Sequence, residues 1–425
     1  MTTHAPLQTA RIRYSRRLRS PLAAVCCALL IGGPAATAAA VQPAARTQMR
    51  GTLVSAEKLY TLATPADVVT ELAAAGFAGA TVRHGVIAYR LVYRTVDVHG
   101  LPTTASGLLV LPLTGERPIQ AVSYAHGTGV HKDDSPSMRR GEFLSAPVVA
   151  HAAAGAAGVA PDYLGMGKGP GPHPWMDIGS ETTASLDMLR AARAFAPRTG
   201  HVLEREVQVT GFSQGASAAL GLGRALEAGG DRWFRLGALA PVSGAYDFGG
   251  TELPALFGGD VDAKSGAVYA AYTLVAFNRL HPIYDSPHEV FEKEYADDVE
   301  ELFDGAHTGA QLMAGTPRAV GELLTDHGQE LMEHPTGAFA DALRTTDAVC
   351  TDWVPDAPVR LYMATGDEQA VTANTTQCRS ALRENGVKAP VVDVGAVDHQ
   401  ASRHAGSNVA ATPSIVRWFG ALRGR

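Results

Sequence analysis

Five residues, Gly211-Phe212-Ser213-Gln214-Gly215, have the types and spacing that nucleophilic chemistry needs. A serine hydroxyl attacks a carbonyl only when the backbone lifts it clear of its neighbours and a base takes its proton. The apolar alternation Val207 to Phe212 precedes the pentapeptide, and an Ala/Leu/Gly-rich stretch from Ala216 to Ala228 follows it. This predicts a strand, a sharp turn and a helix, with Ser213 at the turn. Glycines on either side leave room where a side chain would meet the strand or the helix. Gln214 then opens the helix, so its N–H is a free donor facing the site of developing negative charge. Three fixed positions in a chain with 45 glycines can arise by accident, but Gly-x-Ser-x-Gly occurs here only once.

Ser213 requires a base, and the base requires a carboxylate to orient it. In sheets of this kind the acid and the base follow the last strands, in the chain order Ser, Asp, His. The strand Val359 to Ala364 runs into Thr365-Gly366-Asp367-Glu368, and Val391 to Val394 runs into Gly395-Ala396-Val397-Asp398-His399. Asp367 is therefore assigned as the acid and His399 as the base. Glu368 is the alternative acid, and His404, further from the strand end, is the other base. Asp398 is expected to point elsewhere. A third apolar run, Ile119 to Tyr124, leads into His126-Gly127-Thr128-Gly129, where small residues let the backbone approach a substrate oxygen. The N–H of Thr128, or that of Gly127, would pair with that of Gln214 as an oxyanion hole. The alternative is a glycine turn without catalytic duty.

The elements around these motifs alternate. An antiparallel hairpin is expected from Val82 to Leu111, with its turn at His99-Gly100-Leu101-Pro102. Strands and helices then follow one another through Val207–Phe212 and Leu236–Val242 to a last helix, Pro413 to Leu422. This pattern predicts an α/β fold with a mostly parallel sheet flanked by helices. The interval 248–349 breaks the rhythm with helical stretches only, and is read as a cap inserted between two strands, over the carboxyl ends where ligands bind. The alternative is an independent helical domain. The expected organisation is an export signal at 1–40, a linker and helical segment at 41–80, core at 81–247, cap at 248–349, and core again at 350–425.

Composition narrows the class. The 425 residues are 46% apolar and 18% charged, as in ordinary globular proteins. The net charge of −6 becomes −11 once the five arginines of residues 1–40 are removed, which argues against nucleic acid or anionic membranes as partners. Those arginines precede an apolar run, Pro21 to Ile31, too short to span a bilayer, and then small residues with cleavage expected near Ala40. The pair Arg16-Arg17 leaves the export route open, with a retained N-terminal anchor as the alternative reading. Cys26 and Cys27 would leave with the signal. Cys350 and Cys378 remain as an even pair, expected to form a disulfide in an exported protein. No cofactor or metal is expected, because neither the cysteines nor the 15 histidines show ligand spacing.

Several segments together resemble the α/β-hydrolase superfamily and, within it, the secretory lipase family. They are Ser123-Tyr124-Ala125-His126-Gly127-Thr128, Pro161-Asp162-Tyr163-Leu164-Gly165-Met166-Gly167 with His173-Pro174-Trp175, the Ser213 pentapeptide, and Gly366-Asp367-Glu368 with Asn374-Thr375. The resemblance implies an α/β-hydrolase fold with a helical cap. It also implies a secreted esterase or lipase acting on a small-molecule or lipid ester, with the cap as the face that would touch a lipid surface. Gly366 directly before Asp367, and Ala370 after it, depart from that family's pattern. Asp162, Tyr163 and His173 are read as buried hydrogen-bonding supports, and Tyr269, Tyr272 and Phe277 as cap core. Two rivals keep the fold. One is a peptidase using Glu292, Glu294, Asp297 or Asp298 to hold an amine; the other is a catalytically silent binding protein, which the intact Ser, Asp and His disfavour.

Overall fold

The computed structural model describes residues 50–115 and 117–423. The expected export signal, with Cys26 and Cys27, lies outside them. Nine strands form one sheet in the order β1-β2-β3-β5-β4-β6-β7-β8-β9. They are β1 (Leu53–Leu62), β2 (Val86–Val96), β3 (Pro102–Pro112), β4 (Ile119–Ala125), β5 (Ala157–Pro161), β6 (Leu203–Phe212), β7 (Arg235–Val242), β8 (Leu361–Met363) and β9 (Val391–Asp393). β2 and β3 form the expected hairpin, paired from Val86 with Pro112 to Val96 with Pro102. β3 and β5 are antiparallel, and every pair from β5 through β9 is parallel. The parallel strands are apolar because helices cover both faces, and all seven residues of β4 are buried.

Helices of eight residues or more are α1 (Pro65–Ala74), α2 (Ala146–Ala153), α3 (Ile178–Phe195), α4 (Gln214–Glu227), α5 (Ala263–Leu280), α6 (Asp326–Glu333), α7 (Gly337–Asp347), α8 (Thr372–Glu384) and α9 (Arg403–Leu422). One face of the sheet packs on α3, α4 and α8 through Leu189, Leu220, Val209 and Leu382. The other packs on α1, α2 and α9 through Leu72, Val148, Val122 and Ile415. The interval 248–349, between β7 and β8, folds into α5, α6, α7 and shorter helices. It has an apolar cluster of its own, joined by Trp175 and Met176 from the loop before α3.

Two elements differ from the sequence-based expectation. Residues 53–62, read as part of a linker and helical segment, form a strand on the sheet's edge, antiparallel to β2. Most of its side chains are exposed, Glu57 and Lys58 among them. Charged residues of this kind suit an edge that must not pair with a second chain, and they hide the strand from a hydrophobicity pattern. The last helix starts at Arg403, not at Pro413, which lies inside α9. A proline often marks the first turn of a helix because it lacks an N–H. Here it follows nearly three turns of helix.

Cys350 and Cys378 are bonded, as expected, and close a loop of 28 positions around β8 and Asp367. Both lie buried against the sheet. Loop-closure entropy predicts that replacing both by alanine lowers unfolding free energy by about 3–4 kcal/mol. Urea unfolding of the double variant beside the parent protein measures this, and an unchanged midpoint would refute it.

Candidate active site

At the end of β6 the chain passes into α4 across one residue. Ser213 holds φ 57° and ψ −124°, a conformation that L side chains rarely adopt. Its N–H donates to Val242 O of β7 at 3.0 Å, fixing the turn to the sheet. The flanking glycines are required by close approach. A Cβ on Gly211 would overlap the Gly215 carbonyl, and one on Gly215 would overlap the Ala125 carbonyl.

The histidine beside Ser213 is His404. Its Nε2 is 2.8 Å from Ser213 Oγ, and its Nδ1 is 2.9 Å from both oxygens of Asp367. The network assigns the proton: Nδ1–H donates to the carboxylate, and Nε2 accepts from the serine hydroxyl. The ring is buried and packs on Phe212, centroids 4.7 Å apart. Burial alone would push the imidazole down, but the Asp367 charge and hydrogen bond outweigh it and raise its pKa above the ordinary value. For Asp367, burial favours the neutral acid. His404 and the N–H groups of Ala370 and Gln369 favour the carboxylate and win, so its pKa is lowered. Those two N–H groups donate to Oδ1 at 3.0 Å each.

His399, the base expected from the sequence, is elsewhere. It is half-buried and stacks on Phe143, centroids 5.3 Å apart. Its backbone exchanges hydrogen bonds with Ser402, closing a tight turn through Gln400 and Ala401, both at positive φ. This turn reverses the chain and brings the start of α9 back over the sheet. His404, the second residue of α9, thereby reaches Ser213, although it is further from β9 along the chain. Asp398 is exposed, with Arg403 3.6 Å away.

Glu368, the alternative acid, has another task. Its carboxylate accepts from the Ser402 hydroxyl and from Arg403 N at 3.0 Å, with His404 N at 3.3 Å. A carboxylate at a helix N-terminus satisfies N–H groups that have no partner within the helix and opposes the positive end of its dipole. Adjacent acids thus divide the work: Asp367 orients the imidazole, and Glu368 fixes the helix that carries it.

The residues assigned to the oxyanion hole flank the serine. As first residue of α4, Gln214 has no intrahelical acceptor for its N–H. Its side chain is held by two buried groups, since Nε2 lies 2.6 Å from Glu181 Oε1 and 2.9 Å from His173 Nε2. His173 Nδ1 in turn meets Leu164 O at 2.9 Å. Burial pushes the Glu181 carboxyl up to about 8. Gly127 packs against Phe212 and Ser213. The loop it belongs to is braced by the Tyr163 hydroxyl, which donates to His126 O at 3.0 Å. Asp162 is fully buried and accepts from Ser106 Oγ and from the N–H and hydroxyl of Ser137. Asp162, Tyr163 and His173 are thus hydrogen-bonding supports, as their sequence context suggests. The Thr128 hydroxyl accepts from Trp175 Nε1 at 3.0 Å.

A narrow cavity of about 30 Å³ opens beside Ser213, lined by Thr128, Trp175, Phe248, Glu252, Tyr269 and Gln369 among others. Its far wall comes from α5: the Tyr269 ring lies parallel to that of Trp175, and its hydroxyl donates to Gln369 Oε1 at 2.8 Å. Tyr269 therefore faces the site, while Tyr272 and Phe277 lie in the apolar core of the 248–349 interval. Glu252 carries no motif that sequence reasoning could detect. Among the described residues, no three His, Cys, Asp or Glu side chains converge to hold a metal ion.

No protein-family model and no curated protein matches the chain. Solved structures do. The rice cell wall degrading esterase LipA from Xanthomonas oryzae superposes with a TM-score of 0.74 at 24% identity, over 88% of this chain and 98% of that one. Candida antarctica lipase A in its closed state superposes with a TM-score of 0.59 at 16% identity, over 80% and 76%. At these identities the likeness is one of fold: the chain has the α/β-hydrolase fold of its lipase-like neighbours.

Proposed function

We propose that this chain is a secreted serine hydrolase of carboxylic esters, with Ser213, His404 and Asp367 as its triad. The observation that carries the reading is the unbroken line from Ser213 Oγ through His404 to Asp367, with hydrogen bonds of 2.8 and 2.9 Å. His404 Nε2 takes the serine proton as Oγ attacks the ester carbonyl. Asp367 holds the imidazole in the required tautomer and stabilises its cation. The N–H groups of Gln214 and Thr128 hold the oxyanion, and His404 passes the proton to the leaving alcohol. Water, deprotonated by His404, then adds to the acyl-enzyme carbonyl. The resulting tetrahedral intermediate expels Ser213, which recovers its proton from His404, and the acid leaves. The disulfide and the lipase-like fold support an extracellular setting for this chemistry.

The four cap acids that could favour a peptidase, Glu292, Glu294, Asp297 and Asp298, are exposed, and none lines the cavity. They read as a solvated face. Of the large apolar side chains well exposed among the described residues, only Met313 belongs to the cap. This favours a dissolved ester over a lipid surface as substrate.

Three outcomes test the reading. Hydrolysis of p-nitrophenyl butyrate should fall about 10⁴-fold or more in Ser213→Ala and in His404→Ala, and stay within about threefold in His399→Ala. Loss in the His399 variant with retention in the His404 variant would sink the assignment. Because the base works only as neutral imidazole, kcat/KM should rise with pH through the His404 pKa, with its midpoint above the ordinary histidine value. In Asp367→Asn the residual activity should show this limb at lower pH, since burial then acts unopposed by that charge; an unmoved limb contradicts the coupling. Rates on tributyrin followed through its solubility limit should show no jump, whereas a sharp rise there would establish action at a lipid surface.

A further inference from the structure

Glu252 ends the short π-helical turn Phe248–Glu252, where the chain leaves β7 for the cap. It is 3% exposed and lines the same cavity as Ser213. Its two oxygens are treated differently. Oε2 accepts from Asn374 Nδ2 at 2.6 Å and from Val371 N at 3.2 Å. Oε1 is buried and has no hydrogen-bond partner among the described residues. Asn374 also accepts from Asp247 N at 3.0 Å, so the Oε2 side ties the entrance of the cap to α8. This structural duty leaves Oε1 without a purpose.

The surroundings set the protonation state. Burial favours the neutral acid, the Val371 N–H, the His404 charge and the Asn374 amide oppose it, and the Asp367 carboxylate adds to it. The balance pushes Glu252 up to about 8. At neutral pH it is a carboxylic acid, with Oε2 accepting two N–H groups and the proton on Oε1. A buried O–H donor without an acceptor is costly. It is readily retained where a ligand supplies the acceptor.

We infer that Glu252 donates from Oε1 to an oxygen of the bound substrate, so that the ester taken by this site carries a hydroxyl, or another acceptor oxygen, close to its scissile group. The inference rests on the esterase reading of Ser213. It makes Glu252 a specificity-determining residue and the substrate an oxygenated ester, not a plain alkyl one. Sites that hydrogen-bond a substrate hydroxyl discriminate strongly against analogues lacking it, because the site's own polar group is then stranded.

The test compares kcat/KM by pH-stat for two pairs of esters: methyl butyrate with methyl 3-hydroxybutyrate, and propyl butyrate with 2,3-dihydroxypropyl butyrate. p-Nitrophenyl butyrate, with Ser213→Ala as control, reports separately on the esterase reading. In the parent protein, at least one hydroxylated ester should exceed its plain partner by about tenfold or more. Glu252→Gln, whose amide can accept on one side and donate on the other, should keep that preference. In Glu252→Met the ratio should fall to about one. If neither pair shows a preference in the parent protein, or if the preference survives in Glu252→Met, the inference is overturned. Should the methionine variant fail to fold, the parent ratios and the glutamine variant still decide. Methyl 3-aminobutyrate supplies a further arm: if this ammonium ester is preferred, Glu252 acts as a carboxylate and the neutral donor is refuted. If nothing is cleaved, p-nitrophenyl butyrate included, the esterase reading fails and the inference with it.

Discussion

The site depends on one constraint: β6 must become α4 across a single residue, with the new helix packed close under β4. Ser213 carries the left-handed backbone that this demands. Gly211 and Gly215 are there because the chain passes too close to the Gly215 and Ala125 carbonyls for any side chain. A residue at positive φ costs of order 1–3 kcal/mol and persists only where its surroundings over-determine it. Here the surroundings are the Val242 carbonyl, which accepts the Ser213 N–H, the fully buried β4 and the buried stretch Val207 to Phe212 of β6. The turn also fixes the direction of the Gln214 N–H. The proposed nucleophile and the proposed oxyanion donor are therefore products of the same backbone distortion.

Around that turn, the histidine is delivered by a second reversal. β9 is only three residues long, and the chain does not continue directly into a helix. It turns at Gln400 and Ala401, and α9 starts with its N-terminus over Ser213. Two N–H groups, of Arg403 and His404, and the Ser402 hydroxyl at that terminus find their acceptor in Glu368. The Asp367-Glu368 pair answers two needs of one element: one acid neutralises the helix start, and the other holds the imidazole it presents. The disulfide from Cys350 to Cys378 encloses the loop bearing both acids.

Much of this is legible in sequence because the chemistry forces residue types. Gly-x-Ser-x-Gly between a strand and a helix leaves few other conformations, and Asp367 follows a strand whose apolar run is plain. Chain order points to Asp367, and the structure sets it beside His404. Distance from the strand end favours His399, because no residue pattern announces the turn at Gln400 and Ala401 that carries His404 back to Ser213. Ser402 was the available signal: it caps α9 through the Ala405 N–H, as serine does at helix starts. β1 escaped for a different reason. An exposed edge strand has no apolar stripe to announce it, and only its pairing with β2 defines it. Glu252 could not be found at all, since a lone glutamate in a helical interval has no pattern, and its burial is a property of tertiary packing.

The buried carboxyls around Ser213 show how one small region holds different charge states. Asp367, Glu181 and Glu252 are all nearly inaccessible to water. Burial pushes each toward the neutral acid, and the outcome turns on what else each one meets. Asp367 faces the His404 imidazole, whose charge and hydrogen bond favour the carboxylate, and it accepts two backbone N–H groups, so it stays ionised. Glu181 meets the Gln214 amide, a neutral donor, and its proton is retained to about 8. Glu252 meets an amide and one backbone N–H directly, with His404 acting on it only by charge, and behaves alike. Neighbouring acids whose environments push their pKa values apart can take separate roles. The ionised one stabilises charge on His404. The other two hold their protons to about 8, and each then keeps an O–H that can donate. A site arranged this way can run its base near neutral pH while still offering hydrogen bonds to an oxygen-bearing substrate.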